Sequence, residues 1–208
     1  TQTQPIETDA AVKAVHLAGV AAERGADSVA TGFLGGGPGA YVRRVLDDQG
    51  VRHAFVETAG DTRTNFSVED GSGDPPTTFN ARGPQISQPE LAALWSRCRD
   101  LAAPARWVAM GGSLPPGVPP EIYRDLAAMA AEAECRALVD ADGDAMRLAF
   151  EAPPGLVKPS AADVSRLLGR PVNTREDALV AAREIRALQG GGHAMAIVTL
   201  GAGGAVLA

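Results

Sequence analysis

From Arg106 to Ala208, short apolar runs alternate with segments of helical period, and this alternation constrains the fold more than any other feature of the chain. Strand-like runs fall at 106–110, 137–140, 155–158, 195–200 and 204–208. Helical patterns at 120–134, 144–150, 161–168 and 174–189 separate the first four of them. Strands divided by helices pair in parallel through right-handed crossovers, which predicts an α/β fold built on a doubly wound, three-layer sheet. Ligands of such sheets sit beyond the carboxyl ends of the strands, where Gly111, Asp140, Lys158 and Gly201 fall.

The first half reads differently. Val12, Val15, Ala18, Gly19 and Ala22 recur at helical spacing up to Gly25, a common helix terminator. Residues 28–34 read as a buried strand emptying into the loop Gly35-Gly36-Gly37-Pro38-Gly39, after which Tyr41, Val42, Val45 and Leu46 mark a helix ending at Gly50. Phe66 and Val68 then alternate with polar residues, 71–76 is a turn and 77–80 is again strand-like, which predicts a β-hairpin within 60–84. Ser87, with Glu90 three residues on, opens a further helix through a capping box. The 208 residues are expected to form one principal domain, 1–208, with the hairpin as the sole candidate second module.

A net charge of −6 without a basic cluster argues against nucleic acid or anionic membrane as a partner. No apolar run is long enough to span a bilayer and the first residues do not resemble a signal peptide, so a soluble, cytoplasmic protein is expected. Cys98 and Cys135, each in an apolar setting, are expected to be reduced core thiols. His16, His53 and His193 share no metal-ligand spacing. Neither a phosphate-binding G-x-x-x-x-G-K-[ST] nor a hydrolase G-x-S-x-G occurs.

Several segments could carry chemistry. Gly111-Gly112-Ser113-Leu114-Pro115-Pro116-Gly117 pairs glycines that admit close backbone approach with a small hydroxyl and a stiff exit, a turn suited to a polar ligand. Gly35 to Ala40 matches G-x-G-x-x-A in letters, with Glu57 about twenty residues on, so a dinucleotide site of an oxidoreductase stands against a plain tight turn. Arg63 and Arg82 flank the predicted hairpin and offer guanidinium forks suited to phosphate. Lys158-Pro159-Ser160, with Asp163 following, ends a strand and opens a helix that Ser160 can cap. The loop from Thr199 to Gly204 reads either as an anion-binding nest or as a hairpin turn.

Taken in order, Thr31-Gly-Phe-Leu-Gly-Gly36, Thr62-Arg63-Thr64-Asn65, Thr78-Phe-Asn80 with Gly83-Pro84, Gly111 to Gly117, Leu156-Val-Lys-Pro159 and Val198-Thr-Leu-Gly201 resemble PfkB-type, ribokinase-like carbohydrate kinases. The resemblance is nearest to the 1-phosphofructokinase and tagatose-6-phosphate kinase group. It implies a three-layer α/β/α sandwich with a β lid over the sugar, and transfer of the ATP γ-phosphoryl group to a hydroxyl of a phosphorylated ketohexose, with Mg²⁺. Carried over by motif, Lys13, Arg63, Arg82, Gly112 and Ser113 would meet the phosphosugar. Lys158, Ser160, Thr199, Gly201 and Gly204 would line the ATP site, and Asp163 would serve the metal. The resemblance also admits a homodimer through the lid.

Three departures accompany it. Ala11-Val12-Lys13-Ala14-Val15-His16 stands where the family carries Gly-Gly-Lys-Gly-x-Asn, so that only the lysine matches. Ser160 and Asp163 replace the Asn and Glu of the family's Lys-Pro-Asn-x-x-Glu. The Gly-x-Gly-Asp segment, whose aspartate is the family's general base, does not occur before Ala208, so no catalytic residue is assigned. A longer kinase, segments not present here, or a non-catalytic sugar-phosphate or nucleotide-binding homologue would each account for this. The strand pattern at the end favours the first two.

Overall fold

A computed structural model describes residues 13–68, 77–190 and 192–208, with only the backbone of Lys13 and Ala14. The turn expected at 71–76 and the residues Ala11 and Val12 lie outside the described residues. The chain divides into two compact units, Thr1–Leu94 and Trp95–Ala208.

In the first unit, helix α1 (Lys13–Glu23) precedes β1 (Val29–Ala30) and β2 (Phe33–Leu34), and α2 (Gly36–Asp48) precedes β3 (Arg52–His53) and β4 (Val56–Glu57). β1 pairs with β3 and β2 with β4, both in parallel. The single strand expected at 28–34 is thus interrupted. Backbone bonds bridge the interruption, from Ala54 N to Ala30 O (2.8 Å) and from Val56 N to Gly32 O (2.9 Å). The Thr31 hydroxyl adds a bond to Ala54 O at 2.7 Å. Val15, Ala18, Ala30, Leu34, Val42, Leu46 and Val51 form the core beneath these elements. Leu46 is fully buried, a placement worth about 1.5–3 kcal/mol for a residue of its size.

The glycine run is not a loop before α2. Gly35 is the N-cap and Gly36 to Gly39 form the first turn of the helix. Its glycines answer crowding: a Cβ on Gly35 would lie 2.2 Å from Gly60 O and 2.5 Å from Thr58 Oγ1. Glu57, the acidic partner a dinucleotide reading requires, is paired with Arg43. These contacts favour the structural turn over a dinucleotide fingerprint.

Beyond β4, β5 (Phe66–Val68) and β6 (Thr77–Phe79) pair antiparallel with Phe66 opposite Phe79, as the hairpin pattern predicts. Helix α3 (Gln88–Ala102) opens on the expected capping box. Ser87 N and Oγ each donate to Glu90 Oε2 at 2.7 Å, and Ala59 N donates to Glu90 Oε1. The division between units falls within α3.

The second unit is a sheet of order β11-β10-β9-β8-β7. β7 (Trp107–Gly111), β8 (Arg136–Asp140), β9 (Leu156–Val157) and β10 (Met195–Thr199) run parallel, while β11 (Ala205–Leu207) joins antiparallel at the edge. Between them lie α4 (Ile122–Glu132), α5 (Gly143–Ala149), α6 (Ala161–Leu168) and α7 (Arg175–Leu188). Consecutive strands add in one direction, so the crossovers deliver four strand ends side by side, in the order of the chain. Val139, Val157, Val164, Ile185 and Val198 are fully buried among these elements. Cys98 and Cys135 are free thiols, and burial pushes Cys98 up to about 11. Among the described residues, no helix is long and apolar enough to cross a membrane.

The helix caps carry a pH dependence. Hydrogen bonds from Ser87 hold the Glu90 carboxyl below its ordinary value, and bonds from Thr174 do the same for Asp177 at the start of α7. A lowered folded pKa means that each cap stabilises fully above the ordinary carboxylate value and is lost as pH falls through the folded one. Thermal melts between pH 7 and pH 3 are expected to show falling stability, with a shallower fall in Glu90→Gln and Asp177→Asn. Parallel slopes in parent and variants would reject this assignment.

Candidate functional site

The parallel strands of the second unit end in Gly111, Asp140, Lys158 and the segment after Thr199, and the backbone ladder joins each end to the next. Gly112 N donates to Asp140 O (3.2 Å), Lys158 N to Val139 O (3.0 Å) and Thr199 N to Pro159 O (3.1 Å). A bridge between Ser160 and Thr199 closes the row. The residues that the alternating pattern placed at strand ends therefore lie next to one another in space.

The β7 end requires glycine. A Cβ on Gly111 would lie 2.4 Å from Asp140 O, nearer than two such atoms approach. Gly112 adopts φ +100°, and its carbonyl accepts a 2.8 Å hydrogen bond from the Tyr123 hydroxyl on α4. Ser113 follows as an exposed hydroxyl. Burial, reinforced by the charges of Asp142 and Asp140, holds the Tyr123 phenol far above its ordinary value, so it remains a hydrogen-bond donor.

At the next two ends, Lys158 Nζ pairs with Asp140 Oδ2 at 2.9 Å. The lysine is 38% exposed and the aspartate 16%, so the ammonium faces outward from a half-sheltered carboxylate. Sequence reasoning placed both residues at strand ends and did not foresee their pairing. Nor did it single out Tyr123, whose signal was a lone tyrosine in the first turn of an apolar helix.

Ser160 and Asp163 form the capping box of α6. Asp163 N donates to Ser160 Oγ, Ser160 N donates to Asp163 Oδ2 (3.1 Å), and the other carboxylate oxygen pairs with Arg166. The local cap reading thus accounts for the motif, and it also bears on a divalent cation. Both Asp163 oxygens are engaged, and no group of three His, Cys, Asp or Glu side chains among the described residues is placed to cage a metal. The described residues thus offer a divalent cation one supporting carboxylate at most, a donor set compatible with Mg²⁺, which keeps several waters and takes few protein ligands.

After β10 the chain makes a single 3₁₀ turn, Gly201–Gly203, before β11. Leu200 N donates to Gly204 O (2.7 Å), Gly203 N to Leu200 O and Gly204 N to Gly201 O. The hairpin-turn reading describes this loop, and three of its amides are spent inside it.

The remaining sequence candidates belong to the first unit. Lys13 begins α1. Arg63 and Arg82 are both exposed and lie three residues outside the opposed Phe66 and Phe79, at the same open end of the β5–β6 hairpin. Asn65 Oδ1 accepts from Ala81 N there, closing the ribbon between them.

The chain is 36% identical over 200 residues to a protein named 1-phosphofructokinase from Rhodobacter capsulatus, spanning 96% of this chain and 62% of that one. It is 33% identical over 195 residues to one of the same name from Haloferax volcanii, spanning 94% and 60%. Among solved structures it superposes on phosphofructokinase-2 from Escherichia coli with TM-score 0.81 at 28% identity, over 93% of this chain and 63% of that one. The chain thus spans less than two thirds of the length of these relatives, and the likeness bears out the expected α/β class. Because the family model for pfkB family carbohydrate kinases matches residues 13–208, nearly the whole chain, this protein belongs to that family.

Proposed function

We propose that the protein bearing this chain is an ATP-dependent sugar-phosphate kinase, transferring the γ-phosphoryl group to a hydroxyl of a phosphorylated ketohexose of the fructose 1-phosphate or tagatose 6-phosphate type. The observation that carries the reading is the row of strand ends that sets the Lys158–Asp140 pair beside the Gly112–Ser113 loop. Phosphoryl transfer depends chiefly on positioning and charge stabilisation, and this row supplies a placed cation, a placed hydroxyl and a rigid backbone between them.

In this reading Gly112 and Ser113 meet the phosphosugar. Lys158, Ser160, Thr199, Gly201 and Gly204 border the nucleotide. Asp163 supports Mg²⁺, which when bound neutralises phosphate charge. Its capping bonds to Ser160 leave it that role only if Arg166 swings aside.

The reading also includes a homodimer through the β5–β6 ribbon, supported by the exposure of Phe66 (63%), Val68 (57%) and Phe79 (60%) on one small element. Sedimentation velocity is expected to show a dimer, reduced to monomer by Phe66→Ser with Phe79→Ser. A monomeric parent would reject it.

An assay of ADP release by the full encoded protein, with each sugar phosphate in turn, tests the activity. Turnover dependent on one of the two acceptors is expected. Tight sugar-phosphate binding by calorimetry without turnover would replace the kinase with a non-catalytic binding protein.

A further inference from the structure

We propose that Tyr123 is a positioning residue: its hydroxyl, by holding the Gly112 carbonyl, sets the place of Ser113 for the sugar phosphate and ties that loop to the Asp140–Lys158 pair. The inference rests on the reading of Ser113 as a sugar-phosphate contact.

Gly112 has no side chain, and the space where a Cβ would stand is open, so no packing at that point fixes it. Two hydrogen bonds do so instead. Its N–H donates to Asp140 O at 3.2 Å and its carbonyl accepts from Tyr123 at 2.8 Å. The peptide is thus held from the β8 side and from α4 at once, and Ser113 is the next residue along the chain.

Tyr123 is itself only 6% exposed, so its ring is anchored in the core. A buried hydroxyl is costly unless bonded, and a phenylalanine would fill the same apolar space without that requirement. The bond to Gly112 is what distinguishes the tyrosine.

Asp140 extends the link. Its backbone oxygen holds Gly112 while its carboxylate takes Lys158, so one residue fixes the sugar-side loop and orients the nucleotide-side cation. Because Asp140 is itself held in the sheet opposite Gly111, loosening the loop at Tyr123 leaves the ammonium in place.

The test is Tyr123→Phe in the full encoded protein, alone and combined with Ser113→Ala. Steady-state kinetics, calorimetric binding of fructose 1-phosphate and tagatose 6-phosphate, and thermal melts are read together. The hydroxyl deletion is expected to raise the KM and Kd for the sugar phosphate about five- to ten-fold, the scale of one lost hydrogen bond. The KM for ATP should stay within about twofold and the melting temperature within a few degrees. On the Ser113→Ala background the same change should have less than about a twofold effect, because the two residues act through one interaction.

Equal effects on both backgrounds, or a lowered melting temperature with unchanged sugar-phosphate affinity, would reduce Tyr123 to a structural role and overturn the inference. A parent protein that neither binds nor phosphorylates either sugar phosphate would instead overturn the proposed function on which the inference rests.

Discussion

Replacing Lys158 by methionine is expected to lower kcat/KM for phosphoryl transfer about 10²-fold or more, the usual cost of removing one placed electrostatic contact to a reacting phosphoryl or oxyanion group. Methionine keeps the apolar stem that runs out from β9 and removes only the charge. The loss has two parts. In the proposed site the nucleotide phosphates lose a cation, and Asp140, only 16% exposed, loses the ammonium 2.9 Å away. Lys158→Arg, which retains charge with altered geometry, should recover part of the rate. Because the lysine is more than a third exposed, the melting temperature should change by a few degrees at most. Unchanged kcat/KM in the methionine variant would remove Lys158 from the site.

Gly111→Ala is the second large effect. Its Cβ would stand 2.4 Å from Asp140 O and 3.1 Å from the Asp140 carbonyl carbon and Cβ. The atoms in the way are backbone in the register pair Gly111–Asp140, so no flexible side-chain tip can yield and the ends of β7 and β8 must part. Overpacking of this kind costs about 1–3 kcal/mol, which for a protein of this size lowers the melting temperature by roughly 2–4 °C per kcal/mol. Function should suffer more than stability. Moving Asp140 displaces Lys158 through the ion pair and Gly112 through its N–H bond, so kcat/KM should fall at least about tenfold. A variant with parental activity and a parental melting temperature would show that the contact relaxes without cost.

Much of the second unit was legible in advance because its elements are long enough for period to speak. The helix at Ala161–Leu168 has the bounds its apolar spacing predicts, and Ser160 with Asp163 caps it as the motif suggests. The first unit was harder to read, since strands of two residues carry no period. The glycine run reads as a loop and is the first turn of α2. A Gly-Gly-Pro-Gly sequence gives no helical signal; the crowding by Thr58 and Gly60 that demands glycine there comes from residues more than twenty positions away.

The candidate site was legible to a similar depth. Strand-end topology alone pointed to Gly111, Asp140, Lys158 and Gly201. The links among them were not readable, because the Lys158–Asp140 pair joins residues eighteen apart and the Tyr123–Gly112 bond runs from a helix back to a loop. Motif letters also overstated what was available for binding. Asp163 and the amides of Gly203 and Gly204 already serve local structure, which no pattern of letters reveals.

Hydrogen–deuterium exchange on the full encoded protein tests the central claim, that both substrates of a sugar-phosphate kinase meet at the strand ends of the second unit. With fructose 1-phosphate, or tagatose 6-phosphate if that is the acceptor bound, slowed exchange is expected across 111–117. With a non-hydrolysable ATP analogue it is expected across 158–163 and 199–204. Protection by both ligands elsewhere in the chain, with these three segments unchanged, would contradict the account.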